Sequence, residues 1–293
     1  MSLSIGIDCS AAHWKTCLRE HGQSLHVCSF VDFTAALPYL EGVCALFPEP
    51  TIALPFGRGT TSLSRLSALT DQQLHAITSP LNKQQPQADL QQILIAIKAL
   101  SLDSYCLPSI KHLPSVPMHR KLNPIDLGTP DSLCIVATLM YRLCERQTAW
   151  SEMNFLCVVV GYNSKSIVVV ENGHIVNGID QDHLSDPGYA EATAKSFVDD
   201  TGTRRATKEA FWEELIRDLA GLMAIHHLED IIVLGKYKDA FVERFADTYQ
   251  VYFFPHGEPG TEGYEIAIGA AIIAEGLRHP GLAAEVVQRL QIH

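Results

Sequence analysis

The chain has 293 residues, 47% of them hydrophobic and 19% Asp, Glu, Lys or Arg, a composition that folds and leaves room for one large domain or two packed lobes. Thirty-three acidic residues against 22 basic ones give a net charge of −11, which argues against a broad nucleic-acid footprint but allows a local anion site. No stretch reaches about 18 unbroken apolar residues and no basic-then-apolar leader opens the chain, so no membrane span or export is expected, and the protein reads as cytoplasmic.

In chain order, Leu3 to Asp8 is an apolar strand, followed by a second extended stretch from His13 to Glu20. His21-Gly22-Gln23 makes a tight connection into Ser24 to Phe30. Asp32 to Leu40 reads as a helix and Thr51 to Leu54 as a buried fourth strand. Pro80 to Gln92 reads as a polar surface loop before a helix from Leu90 to Leu100. Five prolines between Pro108 and Pro130 then punctuate an extended segment, each ruling out a mid-helix or central-strand position. Thr129 can cap a following helix, with Pro130 in its first turn and Asp131 at its positive dipole end.

The plan then repeats. Phe155 to Val160, Lys165 to Glu171 and His174 to Asn177 form a second set of short strands, with Asn172-Gly173 as a hairpin turn. The offset of about 150 residues makes two lobes of related strand order the leading architecture. Helices are expected over Tyr189 to Asp199, Lys208 to His226, Asp239 to Tyr249 and Tyr264 to Leu277, and strands over Asp230 to Leu234 and Val251 to Phe254. A last apolar stripe, Leu282, Val286, Val287 and Leu290, suits either a homodimer or packing on its own lobe.

Three places carry candidate chemistry. Asp8 ends a buried strand: its carboxylate can hold hydrated Mg²⁺ while Ser10 and nearby amides bind phosphate, or it can cap a turn. Trp14 and Lys15 read as strand core and as a solvated cation. Gly57-Arg58-Gly59-Thr60-Thr61-Ser62 could cradle an anion or be a surface turn, and lacks the order of a P-loop or a dinucleotide fingerprint. His119, Arg120 and Lys121 stand close to Asn123 and Asp126, so an anion could meet a metal or a nucleophile there, or Asp126 could simply cap a turn. The eight cysteines, Cys9, Cys17, Cys28, Cys44, Cys106, Cys134, Cys144 and Cys157, never form CxxC and read as free thiols. His226-His227 reads as a helix C-terminal cap rather than a zinc pair.

The order of these segments resembles the acetate kinase, sugar kinase, Hsp70 and actin superfamily. Leu3 to Glu20 and Phe155 to Glu171 match its two phosphate strand pairs, and Ile231 to Lys236 its adenosine segment. Thr129 to Met140 and Glu265 to Gly276 match its two connecting helices. The run His119-Arg120-Lys121-Leu122-Asn123-Pro124-Ile125-Asp126-Leu127-Gly128-Thr129-Pro130-Asp131 is similar to the signature of a family labelled predicted butyrate kinase.

The resemblance implies an α/β protein with a two-lobed, duplicated RNase H-like (actin-like ATPase) fold, mixed sheets and an interlobe cleft. Residues 1–128 would form the N-terminal lobe, and 129–293 the C-terminal lobe including the connecting helix. Gly128, Gly269, Ala270 and Ala271 would let the connecting helices approach closely. The implied cofactors are ATP and Mg²⁺, with a small-molecule acceptor. Asp8 and Asp126 would serve the metal and face one another across a polar cleft, and Arg120, Lys121 and Asn123 would hold the acceptor or the transferring phosphoryl group. Ser10, Gly161, Asn163, Ser164, Gly235 and Lys236 would line the nucleotide site. The second phosphate pair departs from the family pattern: Val159-Val160-Gly161-Tyr162-Asn163-Ser164 has one glycine and no carboxylate. Either Asn163, Ser164 and Lys165 contact phosphate in a changed manner, or the fold serves a partner-binding role. Three functions follow: a small-molecule kinase, a ligase working through an acyl phosphate, and a regulatory or partner protein whose cleft would be closed or apolar.

Overall fold

A computed structural model describes residues 3–9, 14–47, 49–78, 87–161, 164–182 and 201–292. The first half opens with β1 (Ser4–Asp8), β2 (Trp14–Glu20) and β3 (Gln23–Phe30), an antiparallel meander. His21 and Gly22 both have positive φ, 50° and 82°, the backbone that a two-residue hairpin turn requires and that glycine adopts freely. Helix α1 (Phe33–Leu46) is capped by Asp32, whose carboxylate accepts from Ala35 N at 2.9 Å. It runs past Leu40, where the sequence suggests an end, because Val43 continues the buried stripe. Strand β4 (Thr51–Leu54) lies parallel to β1.

Four elements here were not expected: β5 (Ser64–Arg65), α2 (Asp71–Thr78), β6 (Asp103–Cys106) and the single turn α4 (Met118–Lys121) within the proline-punctuated segment. Strand β6 is too short and too polar to carry a period-2 signal, and only its parallel pairing with β4 makes it a strand. Between α2 and β6 runs α3 (Gln87–Ala99).

Helix α5 (Pro130–Glu145) leads into the second half: β7 (Phe155–Val160), β8 (Ser164–Glu171), β9 (His174–Asp182), α6 (Thr201–His226), β10 (Asp230–Leu234), α7 (Lys238–Phe245), β11 (Gln250–Phe253), α8 (Glu265–Gly276) and α9 (Leu282–Leu290). The helix expected over Tyr189 to Asp199 lies outside the described residues. The two sheets share one plan. The first has the order β3-β2-β1-β4-β6-β5 and the second β9-β8-β7-β10-β11, each an antiparallel meander extended by parallel strands, with β5 added antiparallel at the first sheet's edge. The repeat legible in the sequence is therefore a repeat of topology.

Packing is in five layers. Ile5 and Ile7 of β1 join Leu40, Leu74 and Leu94 under α1 to α3, while Leu156, Val158 and Val160 of β7 join Phe211, Leu215 and Leu219 of α6. Between the sheets, the opposite strand faces meet α5, α8 and α9. Strands buried on both faces read as unbroken apolar runs, which is why β4 and β7 were legible. Helix α8 comes from the second half yet lies on β1, β2 and β4 of the first sheet, and Gly6 of β1 leaves space for the backbone of Ala267 and Ala271. Gly269 of α8 likewise admits the backbone of Cys134 in α5, the close approach of connecting helices expected from its small residues; Gly128 instead lies against Ile110.

Of the stripe on α9, Val286, Val287 and Leu290 are fully buried and Leu282 is half-buried, so most of it packs on its own lobe. His226 does not cap its helix. It is buried between Glu171, at 2.6 Å from Nδ1, and Asn177, at 3.0 Å from Nε2. All eight cysteines are free thiols. Among the described residues no helix is long and apolar enough to cross a membrane.

Candidate functional site

Parallel strands place their carboxyl ends at one edge of a sheet, and in α/β folds that edge binds ligands. Here the ends of β1 in one sheet and of β7 and β10 in the other converge on a cleft of about 350 Å³, lined by Asp8, Lys15, Val159, Gly235 and Lys236 among others. Its far wall is the segment before α8, and two cations hold it. Lys15 Nζ donates to the Gly263 carbonyl at 2.6 Å, and Arg142 Nη1 donates to the Pro255 carbonyl at 2.8 Å with its guanidinium over the Phe254 ring. Lys15 pairs with Asp8 across β1 and β2, so the hairpin register itself brings acid and base to one cleft.

A cluster of carboxylates sits where β1, α5 and β9 meet. Burial, reinforced by the charges of Asp8 and Asp180, pushes the Asp131 carboxyl well above the usual range. Asp180 Oδ2 accepts from Thr129 N and from Ser132 Oγ, both at 3.3 Å, so Asp180 caps α5 and the Thr129 side chain does not. Ser132 Oγ also meets Ser166 Oγ at 2.8 Å. Among the described residues no three His, Cys, Asp or Glu side chains gather closely enough to cage an ion. An all-oxygen group of crowded acids nevertheless suits Mg²⁺, which keeps several waters and needs only one or two carboxylates.

Asp131 also yields a stability prediction. A carboxyl whose folded pKa is raised binds its proton more tightly when folded, so its stabilising effect is present at acid pH and is lost as pH rises above the unfolded value of about 3.9. Asp131→Asn is therefore expected to be more stable than the parent at about pH 7 without added cation, with the gap closing near pH 3.5. Urea unfolding at the two pH values checks this, and an equal or lower midpoint at neutral pH would refute it.

On the other side of the α5 N-terminus lies a second basin of about 530 Å³, lined by Arg58, Thr60, Thr61, Lys111, His112, Asp126 and Thr129 among others. Asp126 Oδ1 accepts from Gly128 N at 3.1 Å and its carbonyl accepts from Asp180 N at 2.8 Å, so the residue orders the turn that feeds α5. Partial burial, then the charges of Lys121 and Lys111, push the His112 imidazole below its usual range, against an upward pull from Asp126.

Residues 41–199, just over half of the chain, match the family described as Protein of unknown function (DUF1464). The chain belongs to this family. The match spans Asp126, Asp131 and Asp180 but neither Asp8 nor Gly235. No curated protein matches the sequence. Among solved structures, the acetate kinase of Entamoeba histolytica is similar over 89% of this chain and 97% of its own, at 6% identity and a TM-score of 0.54. A propionate kinase of Francisella tularensis subsp. tularensis is similar over 92% of this chain and 99% of its own, at 12% identity and a TM-score of 0.54. At such identities the likeness is one of fold: the two mixed sheets are arranged as in these kinase structures.

Within this member of the family, the residues singled out from sequence fall in three places. Asp8, Gly235 and Lys236 line the cleft. Gly161 and Ser164 sit beside it in the β7–β8 turn, joined by Gly161 N to the Ser164 carbonyl at 2.9 Å. A Cβ on Gly235, whose φ is 102°, would strike the Val160 backbone next to them. Ser10 and Asn163 lie outside the described residues. Asp126 lines the second basin, while Asp8 lines the cleft. Arg120, Lys121 and Asn123 line neither cavity. Arg120 Nη1 donates to the Val176 carbonyl at 2.8 Å and so fastens α4 to β9, and Asn123 Oδ1 accepts from Ile125 N at 3.2 Å. Lys165 does not reach the cleft either: it is fully buried on the other face of β8 against Asp218, at 2.6 Å, and Glu214, at 3.1 Å.

Sequence reading missed Lys15, Asp131 and Asp180 as site residues. Asp180 stays hidden in the sequence because the apparent strand β9 ends at Asn177, whereas it runs on to Asp182. Continued by the same period-2 count, β9 carries a carboxylate to its end beside α5.

Proposed function

We propose that this chain is an ATP-dependent phosphotransferase acting on a small-molecule acceptor. The observation that carries the reading is the convergence of Asp8, Lys15, Gly235 and Lys236 on one cleft, with Asp131 behind Asp8 and a second polar basin across the start of α5.

Mg·ATP supplies the terminal phosphoryl group when bound. Asp8 would hold the hydrated Mg²⁺, and Lys15 and Lys236 would offset phosphate charge. Gly235 and Gly161 would let backbone approach the nucleotide, with Ser10, Asn163 and Ser164 as further phosphate contacts. The acceptor would come from the second basin, whose rim Asp126 keeps ordered. Arg120 and Lys121 would add positive potential from just outside, and Asn123 would shape the preceding turn. A carboxylate acceptor is already ionised and needs no base. A hydroxyl acceptor would need a base, and Asp126 is the carboxylate that lines the acceptor basin. Residues 1–128 and 129–293 would be the two lobes, with α8 returned to the first sheet, and closure over the cleft would exclude water. A short-chain carboxylate and a cytoplasmic setting complete the reading implied by the resemblance.

Calorimetric titration with ATP, with and without Mg²⁺, tests it on the parent and on Asp8→Ala. Saturable Mg²⁺-dependent binding, weakened at least about tenfold by the substitution, is the expected result. A folded parent that ignores millimolar Mg·ATP would overturn the kinase reading.

A further inference from the structure

The loop Gly57 to Ser62, which the nucleotide cleft does not use, forms a wall of the second basin. Arg58 is exposed, and its guanidinium has no hydrogen-bond or ion-pair partner among the described residues, so its N–H donors face the basin's solvent. Lys111 lines the same basin, its Nζ donating to the Asn123 carbonyl at 3.4 Å. The lining holds one carboxylate, Asp126, whose Oδ1 is already engaged by Gly128 N, against the two fixed cations Arg58 and Lys111. In a chain of net charge −11, such a local excess of positive charge marks an anion site.

The rest of the wall is rich in hydroxyls and amide: Thr60, Thr61, Ser64, Gln73 and Thr129. Thr60 and Ser64 both donate to the Ser62 carbonyl, at 2.6 and 2.9 Å, which turns their oxygen lone pairs toward accepting. At roughly 30 Å³ per water, the basin's volume of about 530 Å³ holds on the order of fifteen solvent molecules, far more than a four-carbon acid displaces. An aliphatic tail there would leave those polar groups facing methylenes, whereas a hydroxylated chain would pair with them.

We infer that the second basin is the acceptor subsite and that it selects a small polyhydroxylated anion, Arg58 and Lys111 taking the anionic group and the Thr61 and Ser64 side the hydroxyls. This rests on the phosphotransferase reading and replaces the short-chain carboxylate implied by the resemblance with another substrate class for the same site. The anionic group can be a carboxylate or a phosphate ester, which Arg58 would engage through paired N–H donors in either case.

The test is binding without nucleotide, so that it stands apart from the phosphotransferase reading. Full-length protein is titrated with gluconate, glycerol 3-phosphate, butyrate and glucose, and each titration is repeated on Arg58→Ala and Thr61→Val. Gluconate or glycerol 3-phosphate is expected to bind about tenfold or more tighter than butyrate and than uncharged glucose, and the stronger of the two identifies the anionic group. Arg58→Ala is expected to weaken that ligand about tenfold with an unchanged thermal midpoint, and Thr61→Val to narrow its margin over butyrate. Butyrate binding as tightly as the hydroxylated anions, insensitivity to Arg58→Ala, or no binding by any of the four at millimolar concentration would each overturn the inference. Anion binding in a protein that ignores Mg·ATP would uphold the basin and sink the kinase reading alone.

Discussion

Glu275→Ala is expected to lower the unfolding free energy by about 3–5 kcal/mol, because it strands a buried cation. Glu275 Oε2 accepts from Arg19 Nε at 2.6 Å and Oε1 accepts from Gly22 N at 2.6 Å, with both side chains less than a tenth exposed. Arg19 Nη2 closes the ring by donating to the Gly22 carbonyl at 2.6 Å, which also accepts from the Tyr141 hydroxyl at 3.1 Å, and the guanidinium lies 4.3 Å from the Tyr141 ring centre. Removing the carboxylate leaves Arg19 and the Gly22 amide without their partner in a place water reaches poorly. The double variant Arg19→Met, Glu275→Leu removes both charges and is expected to recover most of the loss, since paired burial is near break-even against apolar packing. Urea unfolding of both variants decides it. A single-variant loss below about 1 kcal/mol, typical of an exposed pair, would show that the network is solvated. The bond joins β2 to α8, so its loss should also loosen the packing of the second half's closing helix on the first sheet.

Gly269→Ala is expected to cost about 3 kcal/mol or more, at the upper end for inserting a methyl into a packed core. The new Cβ would sit inside the backbone of Cys134, where α8 crosses α5, and backbone cannot step aside as a flexible side chain can. Gly221→Ala is the matched control, an exposed glycine in α6 with nothing within 4 Å of the added carbon. It is expected to gain about 0.5–1 kcal/mol from helix propensity alone. The same substitution in two helices thus has opposite signs, and thermal unfolding of both measures the crossing directly. A neutral or stabilising Gly269→Ala would mean that the helices do not meet as described.

Much of the architecture is legible in local chemistry. Apolar runs mark β1, β4, β7 and β10 because strands covered on both faces need no polar alternation. His21-Gly22 and Asn172-Gly173 mark the two hairpins because positive φ is demanded at both turn positions. Thr129-Pro130-Asp131 marks the start of α5, although Asp180 supplies the cap. The short strands β5 and β6 escaped because pairing, a non-local property, creates them.

The site was less legible for the same reason. Asp8 announces itself as a carboxylate at the end of a buried strand, and Gly235-Lys236 as a break after another. That Lys15 shares their cleft follows from hairpin register, and that Asp131 and Asp180 crowd together follows from the docking of β9 on α5. Arg120, Lys121 and Asn123 form the most conspicuous cationic run in the sequence, yet the fold turns Arg120 to a carbonyl of β9 and sets Asn123 in a turn, while the inconspicuous Arg58 stands open in the basin. Sequence by itself determined the repeated strand order and the strand-end carboxylate, because turns and buried runs are written in neighbouring residues. Which charges meet was decided only by the tertiary structure, because a side chain's field acts across about 10 Å of space without regard to its distance along the chain.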